Sequence, residues 1–303
     1  MDEGDGRASG RAVTLVPRTR PAFTSSLGAG TAATARILGD GWRLVEDPAW
    51  SSQELPVPLA WVSTSTSSAN GNVLTFQRSS PCVVVRRPDG SYVDSYDVPG
   101  LVDAHGITVA PDGALLLVDR DGQQVLRREG ASVMRLFNGF RFGYPTAIAV
   151  DTATGDYFVS DGYGNSQVHR FDATGEHIRS WGSHGVGAGE FNVVHALAFD
   201  KSRRLFVADR ENGRLQIFDA DGECLDVWDG YYRPLGLHID SRRELVYVSE
   251  GSTRLSARTL DGEEVAVGRG PDIVHGLSGD GDALYLTSPA LKTVVKLVRV
   301  DET

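Results

Sequence analysis

The chain has 303 residues, 41% apolar and 23% charged, the balance of a folded globular protein rather than a disordered one. Thirty Lys and Arg against 40 Asp and Glu leave a net charge of −10, which argues against a nucleic-acid surface or a polybasic membrane patch. No apolar run approaches the roughly 18 residues of a membrane span.

The first residues, Met1 to Arg20, are rich in Gly and Arg and lack a continuous apolar stretch. They read as part of a flexible leader over residues 1–34 rather than a secretory signal. Residues 35–303 then form a single domain. Two cysteines, Cys82 and Cys224, cannot build a disulfide scaffold, so a reducing, cytoplasmic setting is expected. Thirty-five glycines and two methionines favour short strands and turns over a helical bundle.

One phrase recurs along the chain: an alternating apolar strand, an Asp/Gly turn, a second strand ending in Asp, then two more strands. A degenerate copy covers Leu59 to Gly90. Clear copies open at His105, Thr146 and His195, a looser one at Leu235, and a last one at His275. A period near 40 residues with four short strands per copy predicts an all-β, six-bladed β-propeller. PDG, TGD, DADG and LDG supply the hairpin turns. The segment from Ala35 to Glu46 is expected to add a strand that closes the ring against the last blade. An insertion, Gly182 to Glu190, lengthens one connection and is a candidate lid.

In a propeller the first strand of each blade lines the central channel. Aligning the copies puts His105, His195 and His275 at the opening of alternate first strands. The positions between carry Thr146 and Leu235. Three imidazoles about 120° apart would face one axial point, a donor set suited to zinc with an open fourth position, or to another divalent transition metal. The turns between second and third strands carry Arg78, Arg120, Tyr163 and Arg210 to the same face. Arg can clamp a carboxylate, and Tyr can act as a base where cations lower its pKa. Asp119, Asp161 and Asp209 recur in these turns as braces that accept backbone N–H bonds. His169, His177, His184 and His238 fall out of register and read as surface or packing residues.

At these residues the sequence resembles peptidyl-α-hydroxyglycine α-amidating lyase, a zinc-containing six-bladed propeller of the NHL-repeat kind. The likeness is strongest from Tyr144 to Phe218, in the phrases DGYGNS and ADRENGR, and extends more weakly from Trp42 to Val298. The resemblance implies zinc on His105, His195 and His275, and a catalytic tyrosine at Tyr163. It also implies active-site arginines at Arg78 and Arg210 that hold a carboxylate and keep Tyr163 acidic. Arg120 joins them as a substrate-binding candidate. The reaction implied is cleavage of an α-hydroxyglycine C–N bond to release an amide and glyoxylate.

Departures from the family accompany this. The residues before the three histidines are Ala104, Val194 and Val274, where family members carry Pro. Gly276 replaces the Asp that holds a structural calcium, which argues against calcium here. Gly143, Gly164, Phe206 and Ile217 stand at disulfide positions of secreted members. The expected ligand is a small-molecule or peptide-like substrate taken by a monomer, with no nucleic acid or membrane partner. The alternatives are a dehydratase, cyclase or hydrolase using the same metal site, and a non-catalytic NHL-type scaffold. A calcium lactonase propeller is less well matched, because calcium prefers oxygen ligands to imidazole.

Overall fold

The computed structural model describes residues 35–302; the leader expected over residues 1–34 lies outside the described residues. Strands β1 (Ala35–Gly39) and β2 (Trp42–Glu46) come first, followed by a single helical turn, α1 (Pro48–Ser51). Asp47 caps α1 by accepting the Trp50 N–H, and the Trp50 indole is buried beneath the Arg86 guanidinium, 3.6 Å away.

Four antiparallel sheets of four strands follow, each a meander from the inside outward. The first runs β3 (Val62–Ser67), β4 (Val73–Gln77), β5 (Val83–Arg86), β6 (Tyr92–Tyr96), and the second β7 (Ala104–Val109), β8 (Leu115–Asp119), β9 (Gln124–Glu129), β10 (Ser132–Arg135). The third runs β11 (Ala147–Val150), β12 (Tyr157–Asp161), β13 (Gln167–Phe171), β14 (His177–Trp181), and the fourth β15 (Val194–Phe199), β16 (Leu205–Asp209), β17 (Arg214–Phe218), β18 (Cys224–Asp229). The remaining strands are β19 (Pro234–Asp240), β20 (Leu245–Glu250), β21 (Arg254–Thr259), β22 (Glu264–Arg269), β23 (Gly276–Gly279), β24 (Ala283–Ser288) and β25 (Thr293–Asp301). They join β1 and β2 in one nine-stranded sheet.

The sequence leads one to expect six separate sheets; the described residues form five. The reason is local. β2 pairs with β25, so the segment from Ala35 to Glu46 does close the ring against the last repeat. β1 pairs with β2 on one side and with β22 on the other, through Ile37 opposite Gly268 and Leu38 opposite Val267, and stitches two repeats into one sheet. The innermost strands β3, β7, β11, β15, β19 and β23 touch in order, and β23 returns to β3. The architecture is an all-β propeller.

Alternation of side chains across each strand explains how the sheets hold together. Leu74, Phe76, Val83 and Val85 of the first sheet pack on Ile107, Leu115, Leu117 and Leu126 of the second, all buried. Burying each such side chain contributes about 1.5–3 kcal/mol. The same face-to-face packing recurs around the ring. Toward the axis the spacing tightens until only glycine fits. A Cβ at Gly106 would lie 2.7 Å from the Thr146 carbonyl oxygen, and one at Gly276 would lie 2.6 Å from the Thr64 Cα. Among the described residues, no helix is long and apolar enough to cross a membrane.

Candidate metal centre

The three in-register histidines meet on the axis. His195 lies within β15, His105 within β7, and His275 stands just before β23. Their ring centroids are 5.2, 5.2 and 4.9 Å apart, and one ring nitrogen from each lies within 4.8 Å of the others. Each Nδ1 is tied to the neighbouring inner strand: His105 to the Thr146 carbonyl at 2.7 Å, His195 to the Leu235 carbonyl at 2.9 Å, and His275 to the Ser63 carbonyl at 2.8 Å. A carbonyl can only accept, so each Nδ1 carries the proton and donates it. That leaves each Nε2 with a bare lone pair. The Nε2 atoms of His105 and His195 are buried with no hydrogen-bond partner. A buried acceptor without a donor costs about 1–3 kcal/mol, so two of them side by side ask for a shared Lewis acid.

The carbonyl acceptors belong to the residues that replace histidine in the intervening repeats. This gives those residues a role: the Ser63 hydroxyl donates to the Ala104 carbonyl and the Thr146 hydroxyl to the Val194 carbonyl, both at 2.7 Å. Short hydroxyls bridge adjacent strands where no imidazole stands.

Burial holds all three imidazoles neutral. It lowers His105 and His195 well below the usual range, with the neighbouring imidazoles adding to the effect. It lowers His275 to about 4, and the Arg78 and Arg210 charges act in the same direction. Neutral imidazoles with Nε2 free are the protonation state that binds a transition metal.

The four residues expected on the turn face are gathered above the trio. The Tyr163 ring meets His105 and His195 edge-on at 5.7 and 6.0 Å, and the Arg120 guanidinium lies 5.7 Å from the Tyr163 ring. The charges of Arg210, Arg120 and Arg78 all act on the Tyr163 phenol to lower its pKa. Those charges act in the expected direction, and desolvation of the phenol acts against them and leaves its pKa raised, although the residue keeps 38% of its surface exposed. One backbone contact repeats in this layer. The N–H groups of Arg78, Arg120, Tyr163 and Arg210 donate to the carbonyls of Trp61, Asp103, Tyr144 and Val193, each two residues before its first-strand ring position. Asp119, Asp161 and Asp209 brace these loops. Asp119 accepts the N–H groups of Val102 and Asp103, Asp161 those of Gly143 and Tyr144, and Asp209 that of Asn192.

Below the trio the inner strands enclose a channel of about 520 Å³, lined by hydroxyl-bearing and aliphatic side chains and by the charged Asp151, Asp200, Lys201 and Arg203. Arg78, Arg120, Arg210 and Tyr163 do not line it, so the histidines divide the mouth that holds these four from the channel. The histidines out of register do not join the trio, and His238 lines the channel below it. His169 is buried against Ser180 and Asp161, His177 stacks on Phe140, and His238 stacks on Tyr247. The candidate lid is pinned down: Arg214 donates to the Val186, Gly187 and Glu190 carbonyls.

Sequence reasoning missed Asp103. It is 9% exposed and bridges two of the site arginines, with Oδ1 3.2 Å from Arg78 Nε and Oδ2 3.1 Å from Arg120 Nε. Its signal is its place two residues before His105, in the connection that leads into β7. Trp61, half exposed and 5.5 Å from the Arg78 guanidinium, was missed for want of any repeat partner.

The NHL repeat family matches residues 142–171 and 191–218. The chain is 37% identical over 133 residues to peptidyl-glycine alpha-amidating monooxygenase of Mus musculus, a match covering 39% of this chain and 14% of that protein. It is 33% identical over 134 residues to peptidyl-alpha-hydroxyglycine alpha-amidating lyase 1 of Drosophila melanogaster, covering 38% of this chain and 25% of that protein. NHL repeat-containing protein 3 of Mus musculus matches more broadly, at 29% over 226 residues and 64% of each chain. In every case the match spans less than two thirds of the relative's length. Among solved structures, a gluconolactonase from Xanthomonas campestris superposes with a TM-score of 0.69 at 17% identity, over 90% of this chain and 99% of that one. Streptogramin B lyase superposes with a TM-score of 0.61 at 14% identity, over 86% and 98%. These two likenesses are of fold alone. The chain is a β-propeller that carries NHL repeats at residues 142–171 and 191–218, with proteins named as peptidyl-α-hydroxyglycine α-amidating lyases and monooxygenases among its homologues.

Proposed function

We propose that this protein is a metal-dependent lyase that cleaves the C–N bond of a carbinolamide-type substrate at the channel mouth. The observation that carries the reading is the set of three neutral imidazoles, each fixed by an Nδ1–H bond to a neighbouring strand, with their Nε2 lone pairs converging. Homology to lyases supports the reaction class. The sheet that spans β19–β25 counts in this reading as two blades joined through β1, which makes the propeller six-bladed.

Zinc, or another divalent transition metal, bound to His105, His195 and His275 would supply Lewis-acid polarisation of the substrate hydroxyl and a positive charge beside Tyr163. Tyr163 sits over two of the imidazoles, where the metal's charge added to those of Arg210, Arg120 and Arg78 would offset the desolvation that raises its pKa and let the phenolate oxygen take the hydroxyl proton. The C–O bond then becomes a carbonyl, the C–N bond breaks, and the nitrogen leaves as an amide after taking a proton. Atoms balance as one carbinolamide giving one amide and one carbonyl compound. Arg210 holds the acceptor end of the substrate, a carboxylate where the carbonyl product is glyoxylate. The test is turnover of an N-acyl-α-hydroxyglycine by purified protein, followed by release of glyoxylate. His195→Ala and Tyr163→Phe are expected to abolish it, and wild-type turnover in both would overturn the reading.

A non-catalytic NHL scaffold is the second reading, favoured by the breadth of the match to NHL repeat-containing protein 3. Such a scaffold would purify without stoichiometric metal and would turn over no α-hydroxyglycine.

A further inference from the structure

Besides the imidazole nitrogens, the buried polar atoms without a hydrogen-bond partner include Asp103 Oδ2, an acceptor, and Arg210 Nε, a donor, both at the mouth. The Asp103 backbone is held at both ends. Its N–H donates to Asp119 Oδ1 at 2.8 Å, and its carbonyl accepts the Arg120 N–H at 3.0 Å. The carboxylate is therefore fixed against Arg78 and Arg120, and it is nine-tenths buried. Arg120 Nε lies within ion-pair range of Oδ2 but out of line for a hydrogen bond; it is spent on Asp121 Oδ1 at 2.8 Å. A carboxylate oxygen so placed keeps its charge partners and still lacks a donor. Arg78 is likewise engaged, donating through Nε to the Ser63 hydroxyl at 3.3 Å.

We propose that Asp103 is a substrate-binding residue that accepts a hydrogen bond from a donor on the ligand, an amide N–H, while Arg210 Nε donates to the ligand's acceptor. This deepens the proposed function and rests on its placing of substrate at the mouth. It also divides the arginines. Asp103 offsets Arg78 and Arg120, and Glu211 pairs with Arg210 through Nη1 at 3.1 Å, so what sets Arg210 apart is its buried Nε, an unmet donor for the carboxylate. The ligand class is then an N-acyl amino acid or peptide terminus whose amide N–H and carboxylate are presented together. Esters of the same shape lack the donor and strand Asp103 Oδ2 in the complex, the kind of mismatch that a polar site rejects strongly.

The test compares two unreactive ligands by calorimetry on the full-length protein: N-benzoylglycine, and benzoyloxyacetate, in which an ester oxygen replaces the N–H. Wild type is expected to bind the amide about tenfold tighter or more. Asp103→Leu should remove the preference. Asp103→Asn, which keeps a carbonyl acceptor without the charge, should retain a reduced one and serves if the leucine variant does not fold. A merely structural role for Asp103 would weaken both ligands equally. Equal binding of the two by wild type, binding of neither, or an undiminished preference in both variants would overturn the proposal. Neither ligand reacts, so failure of the lyase reading shows separately, as absence of turnover with the amide preference intact.

Discussion

The Nδ1 of His275 lies 2.8 Å from the carbonyl oxygen of Ser63, so a side chain of the candidate metal centre bonds the last inner strand to the first. The same carbonyl also accepts the Thr287 hydroxyl at 3.0 Å. Ring closure and ligand orientation are therefore one contact, but the carbonyl keeps a partner when the imidazole is removed. His275→Ala is expected to cost about 1 kcal/mol of stability, the net worth of one hydrogen bond, while metal content falls from near one equivalent to near zero. Thermal unfolding and elemental analysis of the same preparation measure both.

Tyr163→Phe removes the proton acceptor and leaves the ring packing on His105 and His195 in place. Turnover of an N-acyl-α-hydroxyglycine should drop about 10²–10⁴-fold with metal content unchanged. Arg210→Ala should raise KM more than Arg78→Ala does, because Arg78 Nε already donates to the Ser63 hydroxyl, whereas Arg210, paired with Glu211 through Nη1, keeps a buried Nε without an acceptor. Steady-state kinetics on the three variants distinguishes the roles.

The buried imidazoles give the metal-free protein a pH dependence of definite sign. In the folded state His275 and His238 titrate near 4, and His105 and His195 well below their usual range, against about 6.5 in the unfolded chain. Between those values the unfolded chain binds more protons. Stability is thus full above pH 6.5 and is lost as the pH falls toward 4. Chelated protein should show a falling Tm across this window, with a shallower slope in His275→Asn. A flat profile would mean that the imidazoles are not buried as described.

Much of this site was legible in the sequence because repetition does the geometry. Once the copies are in register, the equivalent openings of the inner strands carry His105, His195 and His275 to one axis, and the turns after the second strands carry Arg78, Arg120, Tyr163 and Arg210 to one face. What the sequence hides is backbone. The imidazoles are oriented by the carbonyls of Thr146, Leu235 and Ser63, and a carbonyl has no sequence signature. The stitching of two repeats by β1 is hidden for the same reason, since edge strands pair through main-chain groups. The three positive charges around Tyr163 are legible in the sequence, while the desolvation that opposes them is a property of the packed mouth.

Gly276 links the fold to the absence of an expected calcium ligand. A Cβ there would press on the Thr64 Cα and on the Ser63 carbonyl oxygen, 2.6 and 2.7 Å away, and neither is free to move. Gly276→Asp is expected to destabilise the protein by about 1–3 kcal/mol and to gain no calcium-dependent rise in Tm. Differential scanning calorimetry with and without calcium provides the measurement.

The central claim is that three Nε2 atoms share one ion. X-ray absorption at the metal edge of the purified protein tests it most directly. One equivalent of metal is expected, with three imidazole nitrogens at about 2.0–2.1 Å and a lighter-atom fourth ligand, all lost in His195→Ala. Protein that takes up no stoichiometric transition metal, or an ion whose shell is the same in His195→Ala, would contradict the account.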